Sequence, residues 1–585
     1  RVPFTRLAMS PMEPRTALGA YDALSGTFTL TCGTQNPHTL AKLLAEDVLR
    51  VPADKVRLIT PDMGGAFGLR AGIFPEMALV LWAAKAVGRP VKWTGTRSAA
   101  LLADDMGRDM VMAADLALDE DGNFLALRVQ SIASLGAYTS MFGPMPAFGN
   151  LGGLAGVYRT PLIAASVRAV HTNTVPIAPY RGAGRPEAVT MIELAIDAAS
   201  RQCSFDRLDL RRRNIIAPGC LPYKTGLSYT YDSGDFPAAM AKAEALAHVA
   251  GFPERREAAA QRGKLRGLGL ANAIEASAGA LDEGARLTVE ADGTATLYIG
   301  GINHGQGHET VLRQIVCEAL GLDPDAVEIV AGDTAAVPYG VGSFGSRTAA
   351  LGGSATLIAC QQVVEQARDA AAGALDAPPD TVVFDDGRYF AKGTNRSLSF
   401  QEVAASEGAG RLSADIRFAA DKGPTFPSGT HVCEVEVDVA TGALTVLSYV
   451  TVSDVGTLLN PMLVEGQIHG GVVQGLGQVI GEQVVYDPDT GQPLTGSFMD
   501  YPMPRADDVP SIHARFEGHP TAKNPLGVKG AGEAGTVGAL PAGLAAVADA
   551  LAPLGIDGVD MPATPSRLWA LINAAKRGAH QGDTR

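Results

Sequence analysis

Glycine in this chain is concentrated where helices begin. Five glycine-rich loops punctuate the sequence, at Gly64–Gly68, Gly182–Gly184, Gly300–Gly307, Gly340–Gly353 and Gly530–Gly535. Several lie between an extended run and a helical pattern. A strand over Val56–Pro61 leads into Met63–Gly68. A hairpin of Arg286–Val289 and Thr294–Ile299, turned by Asp292-Gly293, leads into Gly300–Gly307. The helix that follows carries Val311, Leu312, Ile315, Val316 and Leu320 on one face. Similar signals place a hairpin turn at Asp121-Gly122, an alternating strand through Cys433, Val435, Val437 and Val439, and helices from Asn36-Pro37 to Leu49 and from Pro186 to Ala199. A helix N-terminus presents unpaired N–H groups and partial positive charge, and glycine lets a ligand approach that backbone closely. One such loop is an ordinary tight turn. Five in one chain point to a single large ligand anchored at many places.

A chain of 585 residues is too long for one ordinary core, so two or more packed units are expected. The charged, alanine-rich stretch Glu254–Arg266 precedes a fresh strand-like run at Leu268–Ala273. The main boundary is placed there, giving units 1–262 and 263–585. Gly408–Lys422 reads as a surface insertion. Hydrophobic residues make up 46% and charged residues 19%, the balance of a folded protein. A formal charge of −14 argues against nucleic-acid binding, which needs a basic face. The longest apolar run is read at Met77–Val87, too short to span a bilayer, and no signal-peptide pattern precedes it; a cytoplasmic location is expected, with periplasmic export through a partner left open. Six cysteines occur without a Cys-x-x-Cys pair, so this chain lacks the thiolate cluster an iron–sulfur centre requires.

Three enzyme classes can be tested on spacing. Gly340–Gly345 and Gly530–Gly535 both match G-x-G-x-x-G. The second follows a poor strand and places a carboxylate, Glu533, where a pyrophosphate would sit, which argues against a nicotinamide dinucleotide fingerprint. His304 and His308 are four apart but separated by glycines, unlike a helical zinc motif. No nucleophile elbow is evident. Glu533 itself stands among small residues, where a carboxylate has no packing role, so a functional role is favoured.

Taken together, Met12-Glu-Pro-Arg15, Thr34-Gln-Asn-Pro-His38, Gly64-Gly-Ala-Phe-Gly68, Pro179-Tyr-Arg-Gly-Ala-Gly184, Gly305-Gln-Gly307, Gly345-Ser-Arg-Thr348, Gly466-Gln-Ile-His-Gly470, Lys529-Gly-Ala-Gly-Glu-Ala-Gly535 and Pro562-Ala-Thr-Pro-Ser-Arg567 resemble the molybdopterin-binding large subunit of the xanthine oxidase, aldehyde oxidase and carbon monoxide dehydrogenase family, in order and spacing. The resemblance implies an α+β fold of two elongated, mixed α/β molybdenum-cofactor-binding domains, with the cofactor between them and the second domain carrying the catalytic Glu. It also implies that the family's N-terminal hammerhead domain lies outside these residues, supplied by a separate chain or by a longer gene product. Position by position it implies Glu533 as the general base. Gln35, Phe67, Arg181 and Gly345 are implied beside the molybdenum without ligating it directly. Gly68, Gln306, Ser346, Thr348 and Gln467 are implied around the pterin. Ordinary roles stay open for several: Gln35 could close the helix starting at Pro37, Phe67 could be core, Arg181 could pair with Glu187, and Gln467 could be a polar spot on a buried helix.

The implied activity is molybdenum-dependent hydroxylation with water-derived oxygen. The implied cofactor is molybdopterin with molybdenum, in the cytosine dinucleotide form of bacterial three-subunit relatives. The two electrons leave through an iron–sulfur subunit with [2Fe–2S] centres and an FAD subunit, in a dimer of heteromers. Purine-oxidising members carry a glutamate where this chain has Ala71 and an aromatic where it has Ala183. Carbon monoxide dehydrogenases carry a cysteine where it has Gly182. An aldehyde or an N-heteroaromatic substrate is therefore expected. A purine dehydrogenase, an NAD(P)-dependent dehydrogenase and a non-catalytic cofactor storage or assembly protein are the alternatives. Burial would raise the Glu533 pKa and a nearby cation would lower it.

Overall fold

The structure is a computed structural model that describes residues 1–278, 282–406 and 408–582. Its framework is four four-stranded sheets, each made of three antiparallel strands and one parallel edge strand. Two belong to the first half. One runs Val2–Ala8, Met106–Leu118, Phe124–Gly136, Leu162–His171; the other runs Val56–Ile59, Thr27–Cys32, Thr16–Asp22, Val91–Thr94. The second half supplies Lys264–Ile274, Ser428–Asp438, Leu444–Asp454, Ile512–Glu517, and Val327–Val330, Ala295–Ile299, Asp282–Val289, Leu412–Ala419. The mixture of helices with largely antiparallel sheets is the expected α+β class.

The elements read from glycine and proline punctuation are present. The helix from Pro37 continues in a wider turn to Leu49, another spans Arg185–Cys203, and a third, His308–Leu320, buries Leu312, Ile315, Val316 and Leu320. Two readings need correction. Within the supposed surface insertion, Leu412–Ala419 is an edge strand paired with Asp282–Val289; the buried Leu412, Ala414 and Ile416 alternate with the exposed Ser413, Asp415 and Arg417. The longest apolar helix is not at Met77–Val87. It is Ala534–Leu551, rich in alanine and glycine. The stretch Ala534–Leu554 is long and apolar enough to cross a membrane, yet 78% of it is buried inside the protein.

That helix positions the site. Every residue of Ala534–Leu551 except Asp549 is buried. Glycine makes the close approach possible: a β-carbon on Gly267 would overlap the Ala546 carbonyl, and one on Gly269 the Ala542 carbonyl. Against the second helix, Pro461–Ile480, a β-carbon on Gly475 would stand 2.6 Å from that of Ala539. The helix is thus seated on the strand Lys264–Ile274 by backbone contact, with its N-terminus, and Glu533 immediately before it, pointed at the first half of the chain. The largest apolar cluster crosses residue 262, joining Phe4, Ile192, Leu270, Val450, Leu476 and Val547.

Candidate active site

Segments distant in sequence converge on one cavity of about 850 Å³. All five glycine loops reach it, as does the helix Pro461–Ile480 through Gln467, Gly470 and Gln474. Gln35, Phe67, Gly68, Arg181, Gln306, Gly345, Ser346, Thr348, Gln467 and Glu533 all line it. The structure therefore brings every residue singled out from sequence to one place. Among the described residues no group of three or more His, Cys, Asp or Glu side chains could hold a metal ion.

Glu533 accepts three hydrogen bonds. Its Oε1 accepts the Gly182 N–H at 2.8 Å. Its Oε2 accepts from Arg185 at 2.8 Å and from the Ser346 hydroxyl at 3.0 Å. Burial alone would raise this carboxyl. Arg185, the Gly182 N–H, Ser346 and Glu275 outweigh it and hold Glu533 below the usual carboxylate range. The cation wins the contest that sequence left open and favours the ionised carboxylate. Arg185 was not recognised from sequence, although a signal existed. It opens the helix Arg185–Cys203, where the helix dipole disfavours a cation unless an anion faces it.

The arginine loop is built for this contact. Gly182, Ala183 and Gly184 have φ values of +99°, +47° and +94°. The two glycines adopt this region freely, and Ala183, which carries a β-carbon, is the strained position. The turn they make aims the Gly182 N–H at Glu533. Arg181 reaches the other way. Its guanidinium donates to the Gly532 carbonyl, to Gln474 Oε1 at 3.2 Å, and to the carbonyl and Oε1 of Gln467 at 3.0 and 3.1 Å. It ties the loops at 181 and 532 to the helix carrying Gln467, and does not pair with Glu187; Arg108 lies 3.5 Å from that carboxylate instead. Burial lowers the Arg181 pKa.

Gln35 staples two loops: its amide nitrogen donates to the Ser343 carbonyl at 3.0 Å and its oxygen accepts the Gly68 N–H at 3.1 Å. The amide nitrogen keeps a second hydrogen to offer. Phe67, with φ +57°, lies 5.9 Å from the Arg181 guanidinium. Gln306 folds back on its own loop, bonding the His304 N–H at 2.7 Å and the His304 ring at 2.8 Å. Thr348 bonds Ser343 at 2.8 Å. His304 and His308 are pushed down to about 3 and about 4, chiefly by burial, and stay neutral. Lys529, fully buried, anchors the Glu533 loop through Asp454 at 2.7 Å.

These features fit an extended pterin cofactor. The cavity is deep, and glycines at 305, 345 and 466 line it where a β-carbon would meet open space. Among the described residues no cluster of side chains there would ligate a metal directly, which fits a metal held by an organic carrier.

Comparison with known proteins agrees. Residues 1–215 and 242–510 each match the family described as molybdopterin cofactor-binding domain. The chain is 34% identical to the 6-hydroxypseudooxynicotine dehydrogenase complex subunit gamma of Paenarthrobacter nicotinovorans, over 97% of this chain and 73% of that protein. Quinoline 2-oxidoreductase from Pseudomonas putida 86 superposes with a TM-score of 0.93 at 32% identity, covering 98% of this chain and 75% of that one. Carbon monoxide dehydrogenase from Oligotropha carboxidovorans superposes with a TM-score of 0.94 at 30% identity, covering 99% and 75%. With the fold, the cavity and both cofactor-binding regions in agreement, this chain belongs to the xanthine oxidase family of molybdenum hydroxylases, as a molybdopterin-binding catalytic subunit.

Proposed function

We propose that the enzyme hydroxylates an N-heteroaromatic compound or an aldehyde, with Glu533 as general base. The observation that carries this reading is the carboxylate of Glu533, held ionised by Arg185, the Gly182 N–H and Ser346 at the wall of a cofactor-sized cavity. A positioned base of this kind is worth roughly 10²- to 10⁴-fold in rate. Glu533 takes the proton from the attacking water-derived oxygen. Arg185 and the Gly182 N–H hold its carboxylate in one orientation while the proton moves. Arg181, Phe67, Gln35, Gly68, Gly345, Ser346, Thr348, Gln306 and Gln467 form the cradle. When bound, the molybdenum cofactor supplies two-electron redox chemistry.

The remainder of the cavity wall favours a flat, apolar substrate: Met9, Met12, Met63, Phe142, Met145 and Met503 line it. Ala71 and Ala183 line it too, in place of the glutamate and aromatic of purine-oxidising members. Gly182 leaves no room for the cysteine of carbon monoxide dehydrogenases, because any β-carbon there would overlap the Pro186 ring. Two of the similar proteins carry N-heteroaromatic substrates in their names, which supports the heteroaromatic branch. The cofactor in this reading is the cytosine dinucleotide, held between units 1–262 and 263–585. Electrons leave to [2Fe–2S] and FAD subunits of a cytoplasmic complex. Dye-reduction assays on the purified complex, after molybdenum and nucleotide analysis, test the reading. Turnover of quinoline- or pyridine-type substrates or of aldehydes is expected; turnover confined to xanthine and hypoxanthine would contradict it.

A further inference from the structure

A second carboxyl, Glu275, lies against the first and has no role in the mechanism above. It follows the strand Lys264–Ile274, with its backbone N–H fixed to the Pro427 carbonyl at 2.8 Å. Its side chain is 0% exposed, and neither carboxyl oxygen has a hydrogen-bond partner. The donors around it are already committed. Arg185 Nη2 serves Glu533, and Nη1, 3.4 Å from Glu275, serves the Ala276 carbonyl. The Gly182 N–H serves Glu533. Ser346 lies beside both carboxyls, but its single hydroxyl hydrogen goes to Glu533.

A buried carboxylate without a donor is strongly disfavoured, and two adjacent carboxylates do not both ionise readily. The other charged or titratable neighbours do not change this. Arg185 is shared with Glu533, the Arg181 guanidinium is occupied by carbonyl and amide oxygens, Tyr229 is a neutral phenol, and His431 on the adjacent strand is kept neutral by burial. Burial chiefly, with the Glu533 charge adding to it, raises Glu275 above the usual carboxyl range despite Arg185.

We propose that Glu275 is a positioning residue that retains its proton and donates it in a hydrogen bond to Glu533, so that the base is presented as the ionised half of a carboxyl–carboxylate pair. The pair then titrates as a unit. One proton resides on Glu275 in the resting site, and a second reaches Glu533 when it acts as a base. This inference rests on Glu533 being the base.

The test uses the purified holoenzyme complex, with Glu275→Gln, Glu275→Met and Glu533→Gln variants. Infrared difference spectra at neutral pH should show the carbonyl stretch of a protonated buried carboxyl that is present in the wild type and in Glu533→Gln and missing from Glu275→Gln. Glu275→Gln keeps a neutral donor and should retain kcat near neutrality while losing the alkaline limb of the pH profile. Glu275→Met removes a hydrogen bond to a charged group. It should lower kcat about 10- to 100-fold with KM little changed, and move the acidic limb upward. A carboxyl band absent from the wild type, or an unaltered pH profile in both Glu275 variants, overturns the inference alone. Full turnover by Glu533→Gln overturns the base assignment, and the inference with it.

Discussion

Arg185 and Glu533 are joined by a bond of 2.8 Å between the starts of two helices, Arg185–Cys203 and Ala534–Leu551. A cation at a helix N-terminus is misplaced by itself, and so is a carboxylate in a buried cavity. Each supplies what the other lacks. The pair also joins the first half of the chain to the second at the point where chemistry is expected.

Replacing Arg185 with Gln should therefore do more than loosen a contact. Arg185 lowers the Glu533 pKa against the effect of burial. Glu533 is a competent base only above its pKa, so removing the cation moves the acidic limb of kcat/KM upward, by roughly one to three pH units. Activity near pH 7 should fall and recover in part at higher pH. A pH–rate profile of the molybdenum-loaded variant measures it; an unmoved acidic limb would show that another group sets the charge on Glu533. The same sign applies to stability: this carboxylate contributes above its unfolded pKa, and the contribution is lost as pH falls through the lower folded value.

Gly182→Ala should strain the arginine loop. The position has φ +99°, and a β-carbon would overlap the Pro186 ring. A cost of about 1–3 kcal/mol is expected. Because the Gly182 N–H is a Glu533 donor, kcat should fall more than KM rises. Thermal unfolding and steady-state kinetics on the same preparation check both parts.

Lys529 and Asp454 form a buried pair at 2.7 Å, with side chains 0% and 4% exposed. Lys529→Met removes the lysine that faces the Asp454 carboxylate and leaves that charge buried. The loss should reach roughly 3–5 kcal/mol. The double variant Lys529→Met, Asp454→Leu should recover much of that loss, since an apolar pair of similar size carries no buried charge. Denaturant melts of the two variants decide the point.

Much of the site was legible because its parts are local: a glycine loop, a helix start and one polar residue occur together within a few positions. Glu533 stood out because small neighbours exclude a packing role. Arg185 and Glu275 were not legible for the opposite reason. A cation at a helix start, as at Arg185, says that an anion faces it but not which one, and Glu275 resembles any residue ending a buried strand. Their meaning exists only once Arg185, Glu275 and Glu533, on three separate segments of the chain, are brought together. The central helix hid behind its composition. It is apolar on every side, so no one-sided stripe marks it, and its small residues allow the backbone contacts at Gly267 and Gly269 that seat it. The edge strand at Leu412–Ala419 was missed because its pairing partner lies more than 100 residues earlier.

The central claim is that Glu533 is the base of a molybdenum hydroxylase. It is tested most directly by the turnover rate of Glu533→Gln, purified with its partner subunits and with molybdenum content matched to the wild type. Glutamine keeps the size and can still accept from Gly182 and Arg185, but it cannot take the proton. Turnover should fall by at least roughly 10²-fold, the worth of a general base, with fold and cofactor retained. Wild-type turnover at full molybdenum occupancy would contradict the account.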